Sequence, residues 1–216
     1  MPVGTVTLEG ELDIPSAAQG VVIFAHGSGS SRHSPRNQLV ARALREAGLA
    51  TLLFDLLTRE EEAVDIRTRH LRFDIDLLAR RLVDATRWLV QQRDSQHLRP
   101  GYFGASTGGG AALVAAAELG KAIGAVVSRG GRPDLAGEAL RRVTCPILLI
   151  VGANDEPVIE LTRAAYGLLR CEKEVQIVPG ASHLFEEPGK LEQVAELAAG
   201  WFTRHLSARV TAARGA

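Results

Sequence analysis

The chain has 216 residues, of which 46% are apolar and 23% charged, a composition that fits one compact globular domain and excludes a disordered or fibrous protein. Lysine plus arginine and aspartate plus glutamate both number 25, so no overall field favours nucleic acid or an anionic membrane as a partner. Neither an N-terminal signal sequence nor an apolar stretch of membrane-spanning length is recognised, which predicts a soluble, cytoplasmic protein.

Short apolar runs alternate with longer stretches of helical spacing along the chain. Residues Val3 to Ile14 alternate apolar and polar side chains, which predicts a hairpin at the edge of a sheet. The run from Gly20 to Ala25 is apolar throughout and ends in a glycine-rich loop, as a strand buried on both faces does. In chain order the pattern predicts strands over residues 20–25, 49–54, 98–104, 122–127, 146–151 and 175–178, and helices over residues 35–48, 68–92, 106–119, 158–169 and 190–206.

This alternation predicts an α/β class of fold, with a mainly parallel central sheet flanked by helices on both faces. We expect one domain over residues 1–206 and a frayed tail over residues 207–216, where small and basic side chains offer little to bury. Residues 55–68 contain the charged run from Arg59 to Glu62 and predict a solvated loop. The remaining connections are too short to hold a large cap domain.

The segment Gly104-Ala105-Ser106-Thr107-Gly108 lies between a predicted strand and a predicted helix. A nucleophilic serine on such a turn needs small neighbours, because side chains at the two glycines would collide with the adjoining strand and helix. The serine then stands exposed at the start of the helix. Serines between glycines also occur in ordinary turns, but the order of strand, sharp turn and helix favours a nucleophile.

A nucleophilic serine needs a general base and an acid that orients the base. In this architecture the acid and then the histidine follow the serine along the chain. Asp155 comes just after the predicted strand 146–151, and His183 just after the predicted strand 175–178. Because the carboxyl ends of parallel strands meet at one edge of a sheet, the sequence predicts a catalytic triad of Ser106, Asp155 and His183.

Other residues compete for two of these roles. His26 ends a central strand but precedes the serine in the chain, so we expect it to brace its loop. Asp134 follows the preceding strand and is the main rival for the acid; its alternative role is to cap a short helix over residues 135–140. Glu156 is a further alternative, one residue farther from the strand end. The other four histidines lie in loops, at helix ends or in the last helix, where solvated roles suit them better.

Hydrolysis through a tetrahedral intermediate needs donors for the developing oxyanion. The candidates are the backbone N–H groups of Thr107, next to the nucleophile, and of Ser28, in the glycine-rich loop after residues 20–25. A flexible glycine turn with no electrostatic role is the alternative. Arg32 and Arg129 also follow strands that point to this edge, and each could pair with a carboxylate or phosphate of the substrate or be a solvated loop charge.

Together these residues resemble the α/β-hydrolase superfamily, and in particular its small dienelactone-hydrolase-like members. The resemblance runs from His26-Gly27 through the segment Gly104 to Gly108 and the segment Gly152 to Asp155 to Ser182-His183. It implies a sheet of eight strands or slightly fewer, with no metal and no organic cofactor. Dienelactone hydrolases proper have a cysteine nucleophile, and Ser106 stands at that position here.

The resemblance implies a serine hydrolase that cleaves a small carboxylester, or a related acyl bond, through an acyl-enzyme intermediate. Without a cap domain, and with aromatic residues at only 5% of the chain, a shallow site for short acyl groups is expected. Two alternatives stay open: hydrolysis of a lactone, and a non-catalytic interaction module that has kept the fold but would be expected to lack a triad member. The expected partner is a small-molecule ester, not a nucleic acid or a membrane.

Overall fold

The computed structural model describes residues 1–207, within which lie nine strands and six α-helices. The strands are β1 Pro2–Val3, β2 Val6–Thr7, β3 Gly10–Asp13, β4 Val21–Ala25, β5 Ala50–Phe54, β6 Pro100–Ala105, β7 Val126–Arg129, β8 Ile147–Gly152 and β9 Lys173–Val178. The α-helices are α1 Pro35–Glu46, α2 Arg59–Thr68, α3 Ile75–Leu89, α4 Thr107–Leu119, α5 Glu156–Leu168 and α6 Lys190–Leu206. Short 3₁₀ helices cover Leu71–Phe73, Gly120–Ala122 and Pro133–Arg142.

Seven strands form the main sheet, in the order β3-β5-β4-β6-β7-β8-β9. Edge strand β3 runs antiparallel to β5, and every other neighbouring pair is parallel. In the centre, Phe24 of β4 lies opposite Phe103 of β6, with ring centroids 5.0 Å apart. Because these strands are parallel, the loops that follow β4, β6, β7, β8 and β9 emerge at one edge of the sheet.

Helices cover both faces of this sheet. Successive side chains of a strand point to opposite faces, so Ile23 of β4 packs in a buried cluster with residues of α3 and α4, whereas Phe24 packs in a second cluster with residues of α1 and α6. Both clusters consist of apolar side chains withdrawn from water, which is the main term that stabilises such a fold. The mainly parallel sheet with helices on both faces confirms the predicted α/β-hydrolase architecture.

The N-terminal segment differs from the predicted edge hairpin. Strands β1 and β2 form a separate two-stranded sheet, with Val3 paired to Val6. Only β3 joins the main sheet, where Gly10 lies opposite Phe54. A Cβ atom on Gly10 would lie 2.9 Å from the Cβ of Phe54, so the glycine permits this close approach at the edge.

The solvated loop predicted for residues 55–68 is wrong, because α2 occupies most of it. A capping box starts this helix: the Glu61 N–H donates to Thr58 Oγ1 at 3.2 Å, and the Thr58 N–H donates to Glu61 Oε2 at 2.8 Å. The cap and the acidic first turn, which complements the positive end of the helix dipole, stabilise a helix with little apolar surface.

The helix predicted over residues 68–92 is shorter than expected: α3 covers only Ile75–Leu89, and a buried carboxylate holds the turn that precedes it. Asp65 accepts the backbone N–H groups of Leu71 and Arg72, at 2.7 and 3.2 Å, and pairs with the Arg72 guanidinium. The chain therefore turns here, and α3 starts afresh at Asp74, whose side chain accepts the Leu77 N–H at 2.9 Å. Asp65 and Arg72 line a pocket together with the loops that follow β4 and β5.

The predicted domain limits of 1–206 stay a prediction. Of the tail predicted for residues 207–216, only Ser207 falls within the described residues. No helix in residues 1–207 combines the length and the apolar character needed to cross a membrane.

Candidate active site

Ser106 occupies a strained turn between β6 and α4. Its backbone angles are φ 50° and ψ −124°, a conformation that costs free energy for a residue with a side chain. The Ser106 carbonyl accepts the N–H groups of Gly109, at 2.9 Å, and Arg132, at 3.0 Å, which hold the turn in place. Although Ser106 is the N-cap residue of α4, its hydroxyl caps nothing and has no hydrogen-bond partner within residues 1–207. The hydroxyl is therefore free to meet a ligand.

Gly104 and Gly108 are required in this turn because a side chain would not fit at either position. A Cβ atom on Gly104 would lie 2.6 Å from the Gly108 carbonyl oxygen, and one on Gly108 would lie 2.1 Å from the carbonyl oxygen of Ala25 at the end of β4. Real Cβ atoms do not approach backbone so closely. Gly108 thus lets the start of α4 press against the central strand, and this contact sets the position of Ser106.

His183 and Asp155 form the hydrogen bond that their predicted roles require. His183 Nδ1 donates to Asp155 Oδ2 at 2.6 Å. Asp155 is the N-cap residue of α5, yet its side chain caps nothing and is committed to the imidazole. The Asp155 side chain is 11% exposed and that of His183 39%. Asp155 is therefore shielded from water, while His183 remains accessible from the cleft.

Ser106 and His183 line the same cleft, which encloses about 600 Å³ of empty space and opens to solvent. Within residues 1–207 no hydrogen bond joins the Ser106 hydroxyl to His183 in this conformation. Catalytic hydrogen bonds are often long in a free enzyme and tighten only when substrate is bound. The structure thus brings His183 and Asp155 into contact and places Ser106 in the same cleft as His183.

Glycines hold the loop of His183 close to the neighbouring strands. A Cβ atom on Gly130, at the end of β7, would lie 2.9 Å from the His183 carbonyl oxygen, and one on Gly152 would lie 2.4 Å from that of Ala181. Glu187 accepts the Ser182 N–H at 3.0 Å and closes the loop from the other side. The sequence analysis missed Gly130 and Glu187 as positioning residues. The adjacent pair of glycines at 130 and 131 was a signal that could have indicated the first of them.

The two residues predicted to stabilise an oxyanion lie together. Ser28 Oγ and Thr107 Oγ1 are 3.0 Å apart, and this hydrogen bond ties the loop after β4 to the first turn of α4. In residues 1–207 neither backbone N–H, of Ser28 or of Thr107, has an acceptor. Two unused donors therefore lie beside Ser106, as an oxyanion hole requires.

His26 braces its loop, as predicted. The Leu56 N–H donates to His26 Nε2 at 3.0 Å, and Nδ1 lies 3.0 Å from the Gly27 carbonyl oxygen. Since Nε2 accepts, the proton sits on Nδ1 and donates to Gly27. Burial lowers the pKa of His26 from its ordinary value, which keeps the ring neutral and both hydrogen bonds intact.

Asp134, the rival acid, is committed elsewhere. It accepts from Arg132 Nε at 2.9 Å and from Arg132 Nη2 at 2.7 Å, a bidentate pair. The predicted capping role is wrong, since Arg132 is the N-cap residue of the 3₁₀ helix Pro133–Arg142 and no side chain caps it. Glu156, the other alternative, is the first residue of α5.

The two arginines predicted to bind substrate have different surroundings. Arg32 pairs with Asp55 and with Glu9, whose Oε2 lies 2.7 Å from Arg32 Nη2, and it does not line the Ser106 cleft. Its charge is already compensated, so we leave Arg32 out of the proposed site. Arg129, at the end of β7, is buried and lines the cleft beside Ser106 and His183.

Known proteins share the sequence pattern and the fold of this chain. The model of a family described as the dienelactone hydrolase family matches residues 8–207. A crystal structure of a dienelactone hydrolase from Anabaena variabilis is 63% identical, with a TM-score of 0.94 over 95% of both chains. An α/β serine hydrolase homologue from Coxiella burnetii is 20% identical, with a TM-score of 0.75 over 93% of this chain and 94% of that one, a likeness of fold alone.

Proteins from two strains of Mycobacterium tuberculosis, provisionally named phosphoribosyl transferases, are each 58% identical over 203 residues. The match covers 94% of this chain but 45% of each relative. The chain thus spans less than half the length of these relatives, and their name does not assign an activity to the matched part.

Because of the close contact at Gly108, we expect a single methyl group added there to destabilise the protein. Gly108→Ala should lower the free energy of unfolding by about 1–3 kcal/mol, because overpacking forces backbone to shift. Gly200→Ala is the matched control: Gly200 lies within α6 with no heavy atom near its Cβ position, so alanine should raise the free energy of unfolding by about 0.5–1 kcal/mol. Urea unfolding measures both, and equal effects of the two substitutions would contradict the account of the turn.

Proposed function

This chain belongs to the dienelactone hydrolase family, and we propose that it is a serine hydrolase that cleaves a small carboxylester through an acyl-enzyme intermediate. The observation that carries the proposal is the 2.6 Å hydrogen bond between His183 and Asp155 in the cleft that Ser106 also lines. A non-catalytic module has no need of these three side chains at one sheet edge. The strained backbone at Ser106 also favours an active site, since such strain concentrates where function requires it.

The proposed reaction uses His183 as the general base. Because Nδ1–H donates to Asp155, the tautomer leaves Nε2 unprotonated, and Nε2 accepts the proton of the Ser106 hydroxyl as its oxygen attacks the ester carbonyl. Asp155 stabilises the imidazolium that forms. The N–H groups of Ser28 and Thr107 donate to the oxyanion of the tetrahedral intermediate.

Collapse of this intermediate breaks the ester bond. His183 gives its proton to the departing alkoxide, which leaves as an alcohol, while the acyl group stays on Ser106 Oγ. A water molecule, deprotonated by His183, then attacks the acyl carbon. The bond to Ser106 Oγ breaks, His183 returns the proton to Oγ, and the carboxylic acid leaves. Since the cleft is open and lacks a large cap, it suits short acyl groups that reach Ser106 directly.

Hydrolysis of a lactone is the second candidate. The 63% identical protein from Anabaena variabilis carries the name dienelactone hydrolase, and a lactone is a cyclic ester open to the same attack. The only chemical difference is that the alkoxide formed by ring opening stays attached to the acyl group. A serine, not a cysteine, at position 106 favours the carboxylester as the first choice.

The proposal predicts that Ser106→Ala abolishes hydrolysis of short p-nitrophenyl esters. Without the hydroxyl no acyl-enzyme forms, and kcat should fall by about 10³-fold or more. The fold should survive, because the hydroxyl has no partner within residues 1–207. Circular dichroism controls for folding. A folded Ser106→Ala protein with activity near that of the wild type would reject the proposed nucleophile.

The choice of acid is tested by two matched substitutions. Asp155→Asn keeps the shape of the side chain but favours the wrong tautomer of His183, so kcat should fall by about 10⁴-fold, as it does in serine proteases. Asp134→Asn removes only a partly exposed ion pair with Arg132, worth at most about 1 kcal/mol of stability, and turnover should be retained. The opposite result, with Asp134→Asn inactive and Asp155→Asn active, would show that the acid follows the earlier strand.

A further inference from the structure

Arg129 is a buried cation without a carboxylate partner. Its residue surface is 7% exposed, and among residues 1–207 no acid forms an ion pair with it. The other buried arginine among residues 1–207, Arg81 in α3, pairs with Glu61 at 2.7 Å. Burial, together with the nearby Arg36, lowers the pKa of Arg129 to about 10, so the guanidinium remains charged at neutral pH. An uncompensated buried charge is strongly destabilising, so a ligand that brings a negative charge would be favoured here.

The Arg129 guanidinium keeps one nitrogen that is neither buried nor hydrogen-bonded within residues 1–207. Nη1 makes a long hydrogen bond of 3.5 Å to the Leu184 carbonyl oxygen, and Nε is buried without a partner. Nη2 also has no partner in the described residues but is not among the buried atoms, so solvent reaches it. Because Arg129 lines the cleft that Ser106 lines, Nη2 is the donor that remains for a ligand there.

Further donors line the same cleft. Arg36, in the first turn of α1, pairs with Glu186 at 2.8 Å, but the Glu186 side chain is 61% exposed, and such surface pairs contribute little. Ser30 and Ser34 also line the cleft. Ser34 is the N-cap residue of α1, and its side chain does not cap the helix. The positive end of a 12-residue helix therefore adds to the two guanidinium groups.

We propose that Arg129, Arg36 and the start of α1 form a subsite for a phosphate group, and that the enzyme hydrolyses a carboxylester whose substrate also carries a phosphate. Two guanidinium groups match the two charges of a phosphate monoester, and its three oxygens accept more hydrogen bonds than the two of a carboxylate. The phosphate is the recognition group, and the bond attacked by Ser106 is the carboxylester. This inference rests on the proposed function only in taking the Ser106 cleft as the active site.

The competing role for Arg129 is structural. Its guanidinium lies 5.9 Å from the centroid of the Phe185 ring and contacts the Leu184 carbonyl, so it could serve only to hold the loop of His183. A structural role would alter turnover of every ester alike. It would leave the affinity for phosphate unchanged, and this difference separates the two roles.

Binding is measured on Ser106→Ala, which needs no turnover. The midpoint of its thermal unfolding should rise with inorganic phosphate until the site saturates, at constant ionic strength set with sodium chloride. Adding Arg129→Gln should weaken the apparent affinity by about 10- to 100-fold, the usual effect of losing a charged hydrogen bond. Arg36→Gln, at a more exposed position, should weaken it in the same direction and serves if the Arg129 variant does not fold.

Arg132→Gln is the control for general loss of positive charge, because Arg132 pairs with Asp134 and does not line the cleft. The Ser106→Ala protein that also carries Arg132→Gln should bind phosphate with the same affinity as Ser106→Ala alone. Unchanged phosphate affinity in both the Arg129 and Arg36 variants, or stabilisation by succinate but not by phosphate, would overturn the proposal. Failure of the proposed function would show separately, as ester hydrolysis that survives Ser106→Ala.

Discussion

The contact between the start of α4 and the end of β4 is the constraint on which the site depends. Gly108 has no side chain, so helix and strand approach until a single Cβ atom would lie 2.1 Å from the Ala25 carbonyl oxygen. Ser106, two residues before Gly108 in the turn between β6 and α4, has a positive φ. The buried sheet and the packed helix hold the turn in place, so the strained backbone of Ser106 persists. A looser packing would let Ser106 relax and withdraw its hydroxyl from the cleft.

Most charged side chains at this sheet edge have a partner of opposite charge, but one does not. Asp155 does not cap its own helix but accepts a hydrogen bond from His183. Asp134 pairs with Arg132, and Arg32 pairs with Asp55. Arg129 alone among the site residues is both buried and without a counter-charge in the described part of the chain. We thus propose that catalysis and recognition use different residues: Ser106, His183 and Asp155 act on the ester bond, and Arg129 binds the anionic group.

Residue order along the chain was enough to predict the α/β fold, and it led to Ser106, Asp155 and His183, because each follows a strand whose carboxyl end lies at a common edge. Contacts between residues far apart in the chain could not be predicted from residue order. The pairing of Arg32 with Glu9 and Asp55 depends on the antiparallel edge strand, and the burial of Arg129 depends on how the loop of His183 folds back. Helix α2 was missed because its residues lack an apolar stripe, although Thr58 and Glu61 stand at capping-box spacing.

The central claim is that Ser106 is a nucleophile activated by its surroundings, and covalent labelling tests it most directly. A fluorophosphonate reacts with activated serines and not with ordinary ones, so mass spectrometry of the labelled, digested protein should find one adduct, on the peptide that contains Ser106. Unfolding the protein before labelling should abolish the adduct, since the reactivity comes from the turn and from His183. A folded protein that acquires no adduct, or acquires it on another residue, would contradict the account.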